Sequence, residues 1–176
     1  MGIPFLTANY FVGELFMPNL TGTTAAGLAN IVDLQWYIDT YEKEFLKYLL
    51  GDVLYMEFAA EIAVSVPLVK WTALKNKIYV VSTGTNPTYL SPATAYVFFY
   101  YIRKHQSLTV STGQIQTGYE NGQTVENKYT SVGPWNKMVE DCKLLWEWLE
   151  EDAQRATYPN FSRQYEDYLG FINPLL

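Results

Sequence analysis

The chain has 176 residues with a net charge of −6; 17% of the residues are charged and 16% are aromatic. This length suits one domain with a core of its own, and the single cysteine, Cys142, excludes an internal disulfide. The absence of any basic run argues against direct nucleic-acid binding, and the apolar runs are too short to span a bilayer. Low charge combined with many Tyr and Trp residues indicates either an aromatic core or a protein–protein contact surface.

Residues 1–32 are predicted to form an N-terminal arm. They carry one charge, Glu14, and their glycines and prolines disfavour a long helix. Because disordered tails are usually charged and poor in aromatics, we expect this arm to lie on its own domain or on a neighbouring subunit. The arm residues expected at a protein interface are Phe5, Tyr10, Phe11 and Phe16.

A helical domain is predicted over residues 33–158. Its first helix begins near Asp33 and stops at Gly51, with Glu42 placed away from the buried face. The predicted buried stripe is Leu34, Ile38, Tyr41, Phe45 and Leu49 or Tyr48. Asp52 is the predicted N-cap of a second helix, and Pro67 is placed in the first turn of a third.

Two stronger helices follow in this domain. Ser91 and Pro92 predict the N-cap and first residue of a helix that ends near His105 and is buried on most faces. The last helix is predicted from Pro134 to about Thr157, with an acidic outer face that is most simply a solvated surface. Its predicted buried stripe is Val139, Cys142, Leu145 or Trp146, Leu149 and Ala153.

Between these helices, residues 106–133 are polar and are predicted to form an inserted loop or β-hairpin. The predicted hairpin turn is Glu120, Asn121, Gly122 and Gln123. The insert residues expected at a protein interface are Gln114, Ile115, Tyr119 and Gln123. Residues 159–176 are predicted to be a C-terminal docking tail, with contacts through Phe171, Ile172, Leu175 and Leu176. The expected fold class is therefore all-α: a small helical bundle with an inserted loop or hairpin and extended terminal arms.

The sequence offers little for chemistry. The single histidine, His105, is predicted to be a cation at a helix C-terminus, and Cys142 a small buried hydrophobe. Glu57 and Glu61 share a helix face, but such surface pairs are commonplace. No phosphate-binding glycine motif is present. We therefore expect no enzyme, no metal and no cofactor.

Three stretches resemble the head–tail connector (adaptor) proteins of tailed phages, nearest to those of Bacteroides-infecting crAss-like phages. Residues 41–58, YEKEFLKYLLGDVLYMEF, are similar to the family's opening helices, in which a helix ending in Leu-Gly is followed by a short helix starting Leu-Tyr. Residues 93–102, ATAYVFFYYI, are similar to its aromatic central helix. The polar stretch with Thr112-Gly113 and Glu120-Asn121, followed by WNKMV at residues 135–139, also fits. The resemblance covers roughly residues 33–160.

The resemblance implies a structural virion protein in a ring of about twelve copies below the portal. It implies contacts with the portal, with neighbouring copies and with adjacent tail or neck rings, and a location at the head–tail interface after assembly in the host cytoplasm. No sequence-specific nucleic acid and no membrane partner is expected. An acidic helix facing the channel would let DNA slide by like-charge repulsion. The alternatives are another virion assembly factor (tail-completion or scaffold), a small helical enzyme with a carboxylate site, and a monomeric helical protein-binding regulator.

Overall fold

The computed structural model describes residues 5–17, 20, 23–79, 91–105, 107–110, 113–116 and 128–172, and most of these are helical. The helices are α1 (Ala25–Tyr37), α2 (Lys43–Leu50), α3 (Asp52–Ile62), α4 (Val69–Ile78), α5 (Pro92–His105), α6 (Lys128–Glu150) and α7 (Asp152–Thr157). A π-helical segment, Ile38–Glu42, joins α1 to α2, and short 3-10 turns lie in the two terminal segments. The predicted all-α class is confirmed.

Helix α1 begins earlier than predicted. Residues 25–32, assigned to the arm, are its first two turns, and the Thr24 side-chain oxygen accepts a hydrogen bond from the Gly27 backbone N–H at 3.0 Å. A threonine at this position satisfies one of the backbone donors that a helix leaves free at its start. The predicted start of the first helix near Asp33 is therefore wrong.

The π-helical segment changes which side chains face the core. A π turn holds one more residue than an α turn, so the side chains that follow are rotated relative to a regular helix. Leu34 and Ile38 are buried as predicted, but the next buried position is Glu42, while Tyr41 is only half-buried. The predicted outward position of Glu42 is therefore wrong, because the prediction assumed one unbroken helical period.

Gly51 ends α2, as predicted, with φ +77° and ψ 159°. This backbone conformation is essentially restricted to glycine. A Cβ added here would meet the backbone oxygen of Ser162 at 2.9 Å, so the C-terminal tail crosses directly over this residue. Asp52 is the first residue of α3 and makes no capping bond; its carboxylate accepts a hydrogen bond from the Tyr165 hydroxyl at 2.6 Å.

Helices α5 and α6 form the centre of the core. The Ser91 hydroxyl caps α5 by accepting from the Thr94 N–H at 3.1 Å, and α5 is buried on most faces, so both predictions are confirmed. In α6 the fully buried Trp146 donates its indole N–H to the Leu49 carbonyl at 2.8 Å. This bond ties the core helix to the end of α2.

Helix α6 differs from its prediction at both ends. It begins at Lys128, so Pro134 lies inside it and residues 128–133 belong to a helix rather than to the insert. It stops at Glu150, and the extended Glu151 (φ −58°, ψ 141°) separates it from α7. This break removes Ala153 from the predicted buried stripe, and Ala153 is exposed.

Candidate protein-interaction surfaces

The N-terminal arm lies on the chain's own domain. Leu6, Phe11, Leu15 and Met17 belong to its hydrophobic core. Phe11 is only 2% exposed, so the prediction that it contacts a partner needs correction: it packs inside this chain.

The other three arm residues predicted at an interface differ in their exposure. Phe5 and Tyr10 are half-buried, and their rings pack edge-on against Tyr79, with centroids 5.5 and 6.4 Å away. Phe16 is 64% exposed. Phe16 is therefore the arm side chain best placed to reach another molecule.

Glu42 holds the arm in place. Its carboxylate accepts hydrogen bonds from the backbone N–H groups of Phe5 and Leu6, each at 3.1 Å, and from the Tyr79 hydroxyl at 2.6 Å. The side chain is 3% exposed, and no cation pairs with it among the described residues. Burial raises the pKa of Glu42 to about 7, although the three donors act in the opposite direction.

The same arrangement affects Tyr79. Burial and the neighbouring Glu42 carboxylate raise the pKa of its phenol well above the ordinary value, so its proton is held on the bond to Glu42. One carboxyl group therefore connects the arm, the π-helical segment and the end of α4. From the sequence, Glu42 was recognised only as a charged residue outside the predicted buried stripe of the first helix.

The C-terminal tail is also bound to its own domain. The Asn136 side-chain amide bonds both backbone groups of Ile172, donating to the carbonyl at 3.0 Å and accepting from the N–H at 2.9 Å. Phe171 is 53% exposed, and the Lys143 ammonium group lies 4.2 Å from its ring centroid. Of the predicted tail contacts, Phe171 is thus on the surface and Ile172 half-buried, while Leu175 and Leu176 lie outside the described residues.

The insert is described only in part. Strands β1 (Ser107–Val110) and β2 (Gly113–Gln116) pair antiparallel, with Leu108 opposite Ile115. Two of the predicted contact residues, Gln114 and Ile115, lie in β2. Tyr119, Gln123 and the rest of the predicted turn lie outside the described residues.

Polar groups that could carry chemistry are few in the described part of the chain. His105 has a partner that the sequence did not indicate: its Nε2 lies 2.6 Å from the Asp33 carboxylate, and both side chains are partly exposed. Cys142 is fully buried, and burial raises the pKa of its thiol, in agreement with the prediction of a small core residue. Within the described ranges no group of three or more His, Cys, Asp or Glu side chains could hold a metal ion.

A shallow groove of about 440 Å³ runs beside α2 and the tail. The Tyr48 and Tyr168 rings stack there with centroids 4.9 Å apart, and charged groups of both signs line it. The lining residues are Thr40, Lys43, Glu44, Lys47, Tyr48, Asp52, Tyr165 and Tyr168. Balanced charge and stacked rings are typical of a polar contact surface.

Helix α1 is apolar on both sides. Gly27, Leu34 and Tyr37 face the core, while the opposite side carries exposed Leu28, Val32 and Trp36, which follow one another at intervals of four residues. We call these three residues the α1 outer face. Trp36 is 57% exposed. A helix that is apolar all round is normally buried on both sides, so this face is suited to contact with another surface.

A second exposed apolar surface lies where α3 passes into α4. Val64, Val66, Leu68 and Val69 are all exposed, and Val66 and Val69 are 85% and 86% exposed. We call these four residues the α3–α4 loop patch. Surface loops are normally polar. Like the α1 outer face, this patch lacks the charged side chains that would favour solvent.

The outer side of α6 is acidic, as predicted. Glu140 and Glu147 are exposed there, and Glu151 and Asp152 follow at the start of α7. Part of the charge is balanced, since Lys137 lies 2.9 Å from Asp141. This surface is polar and differs in kind from the two apolar ones.

Comparison with protein-family models, with curated proteins and with solved structures gave no match. Among the helices of the described ranges, none is long and apolar enough to cross a membrane. The function is therefore inferred from the chain's own residues and surfaces.

Proposed function

We propose that this protein is a non-enzymatic structural virion protein that assembles into a connector ring between the portal and the tail of a phage. Its partners in this proposal are other copies of itself, the portal protein and the adjacent tail or neck rings. The ring surrounds the channel through which DNA leaves the head. The hairpin of the insert and the exposed side chains of the two terminal segments are its contacts with neighbouring components.

The observation that carries the proposal is the α1 outer face. Three large apolar side chains lie exposed on a helix that already packs its other side into the core. Covering Trp36 alone would remove about 100 Å² from water, which is worth roughly 2–3 kcal/mol before ordering costs. A chain that keeps such a face exposed when alone is suited to assembly.

The resemblance of residues 41–58 and 93–102 to phage connectors gives this assembly its specific form. Both stretches lie in the core: α2 runs into α3 through the sharp turn at Gly51, and α5 packs against α6. The acidic outer side of α6 also suits a protein beside DNA that must move, because like charges repel.

Native mass spectrometry of the full chain, alone and mixed with its cognate portal, tests the proposal. We expect a multimer, alone or on the portal, and weaker portal binding for F16E and F171E, which change exposed residues of the two terminal segments. E147Q on α6 is the matched surface control. A chain that stays monomeric and ignores the portal would refute the connector proposal and favour a monomeric binding regulator.

A further inference from the structure

We propose that neighbouring copies join head to tail, with the α3–α4 loop patch of one copy seated on the α1 outer face of the next. This inference rests on the proposed assembly function and names the surfaces that perform it. The molecule that covers the α1 outer face is a second copy of this chain.

The two patches are chemically alike. Residues 62–69, IAVSVPLV, carry no charge, and neither do residues 25–32, AAGLANIV. Each stretch includes exposed apolar side chains, Leu28 and Val32 in one and Val66 and Val69 in the other. Burying such a surface against a charged one would desolvate the charge at a cost, so each patch fits the other better than it fits the acidic side of α6.

The edges of the two patches carry opposite charge. From Ala25 to Tyr41 the only charged residues are Asp33 and Asp39, and Asp33 is paired with His105. From Glu61 to Ile78 the charged residues are Glu61, Lys70, Lys75 and Lys77, which gives this side a net charge of +2. Docking one patch on the other brings an acidic edge to a basic edge, which favours this pairing over a pairing of two identical faces.

The symmetry of the assembly depends on which patches pair. Pairing two α1 outer faces would make a closed dimer and leave both α3–α4 loop patches exposed to water. Pairing unlike patches uses both surfaces of every copy. A contact between different surfaces propagates from copy to copy and closes into a ring when the rotation allows it.

Mixing complementary variants tests the geometry. The α1-face variant is V32E/W36E and the loop variant is V66E/V69E; all four positions are exposed, so the fold should tolerate the changes. We expect each variant alone to be monomeric by native mass spectrometry. An equal mixture should give one-to-one dimers and nothing larger, because one interface remains intact. L144E, at an exposed apolar position of α6, should assemble like the wild type.

Cross-linking gives a second measurement that does not depend on the charged variants. Chains with D39C and chains with K70C are mixed and treated with diamide, which oxidises the two thiols to one disulfide. The native Cys142 is fully buried and does not react. We expect disulfide-linked dimers from the mixture and little from either chain alone.

The outcomes separate the two proposals. If the wild type assembles but both charged variants assemble equally well, the head-to-tail interface is refuted and the assembly function stands. The same conclusion follows if the variants are monomeric but their mixture gives no dimer. If the wild type stays monomeric with and without the portal, the assembly function fails, and the interface fails with it.

Discussion

Replacing Glu42 with glutamine should alter how the stability of this protein depends on pH. The carboxyl group has a pKa of about 7 in the folded chain, against an ordinary value of 4.5, because burial disfavours its charged form. Each pKa unit corresponds to about 1.4 kcal/mol, so the two values differ by about 3 kcal/mol. The folded state therefore binds this proton more tightly than the unfolded state does.

The sign follows from that difference. The stabilisation from the protonated carboxyl is fully present below about pH 4.5 and is lost as the pH rises through about 7. Glutamine is a neutral side chain of the same shape and does not titrate. As the pH rises between those two values, the free energy of unfolding of E42Q should therefore increase by about 3 kcal/mol relative to that of the wild type.

Urea unfolding followed by tryptophan fluorescence, at several pH values across this window, measures the effect. The comparison uses the difference between the two proteins, because other groups titrate in both; Asp52, whose pKa is lowered by its bond from Tyr165, acts in the opposite direction. E147Q makes the same substitution at an exposed position on α6 and is the matched control. A flat difference for E42Q would refute the reasoning. The reasoning would also be refuted if the stability of E42Q relative to the wild type fell as the pH rose, because the three hydrogen-bond donors to Glu42 would then outweigh its burial.

Three further substitutions test the local structure. G51A should lower the free energy of unfolding by about 3 kcal/mol or more in thermal unfolding, because of its positive φ and the backbone oxygen of the tail that crosses over it. G170A, where φ is −89° and the added Cβ meets only an ordinary contact at 3.8 Å, should change it little. T24A should lower the free energy of unfolding in urea by about 1 kcal/mol, because the N-cap hydrogen bond of α1 is lost. T23A, which removes no capping bond, should change this free energy little. N136A should speed amide hydrogen exchange in the tail and lower the global free energy of unfolding by only about 1 kcal/mol. Unchanged exchange would show that the two hydrogen bonds between Asn136 and Ile172 do not hold the tail.

The sequence predicted those parts of the fold that depend on local signals. Ser91 and Pro92 located the start of α5, and Gly51 the end of α2, because a cap and a positive φ each require particular residue types. The start of α1 was missed although Thr24 marked it, since the surrounding glycines and the lack of charge resembled an irregular arm. The capping residue Thr24 was therefore a better guide to the start of α1 than the composition of residues 1–32.

The interaction surfaces were harder to predict because they depend on tertiary contacts. Glu42 was expected outside the buried face, but it lies buried at the end of the π-helical segment. Its donors lie 36 or 37 residues away along the chain, Phe5 and Leu6 before it and Tyr79 after it, and Asp33 and His105 are separated by 72 residues. The apolar residues of the α1 outer face were visible in the sequence, but nothing local distinguished them from core residues.

The position of the arm has a consequence during synthesis. Phe5 leaves the ribosome first, but its partner Glu42 follows 37 residues later, and Tyr79 another 37 residues after that. At about 5–20 residues per second, this leaves the apolar arm without its docking site for roughly 4–15 s. During that interval the apolar side chains of the arm stay exposed, and exposed apolar surface is prone to aggregation. Proteolysis of nascent chains stalled before and after Tyr79 would detect the change, since the arm should become protected only in the longer chain.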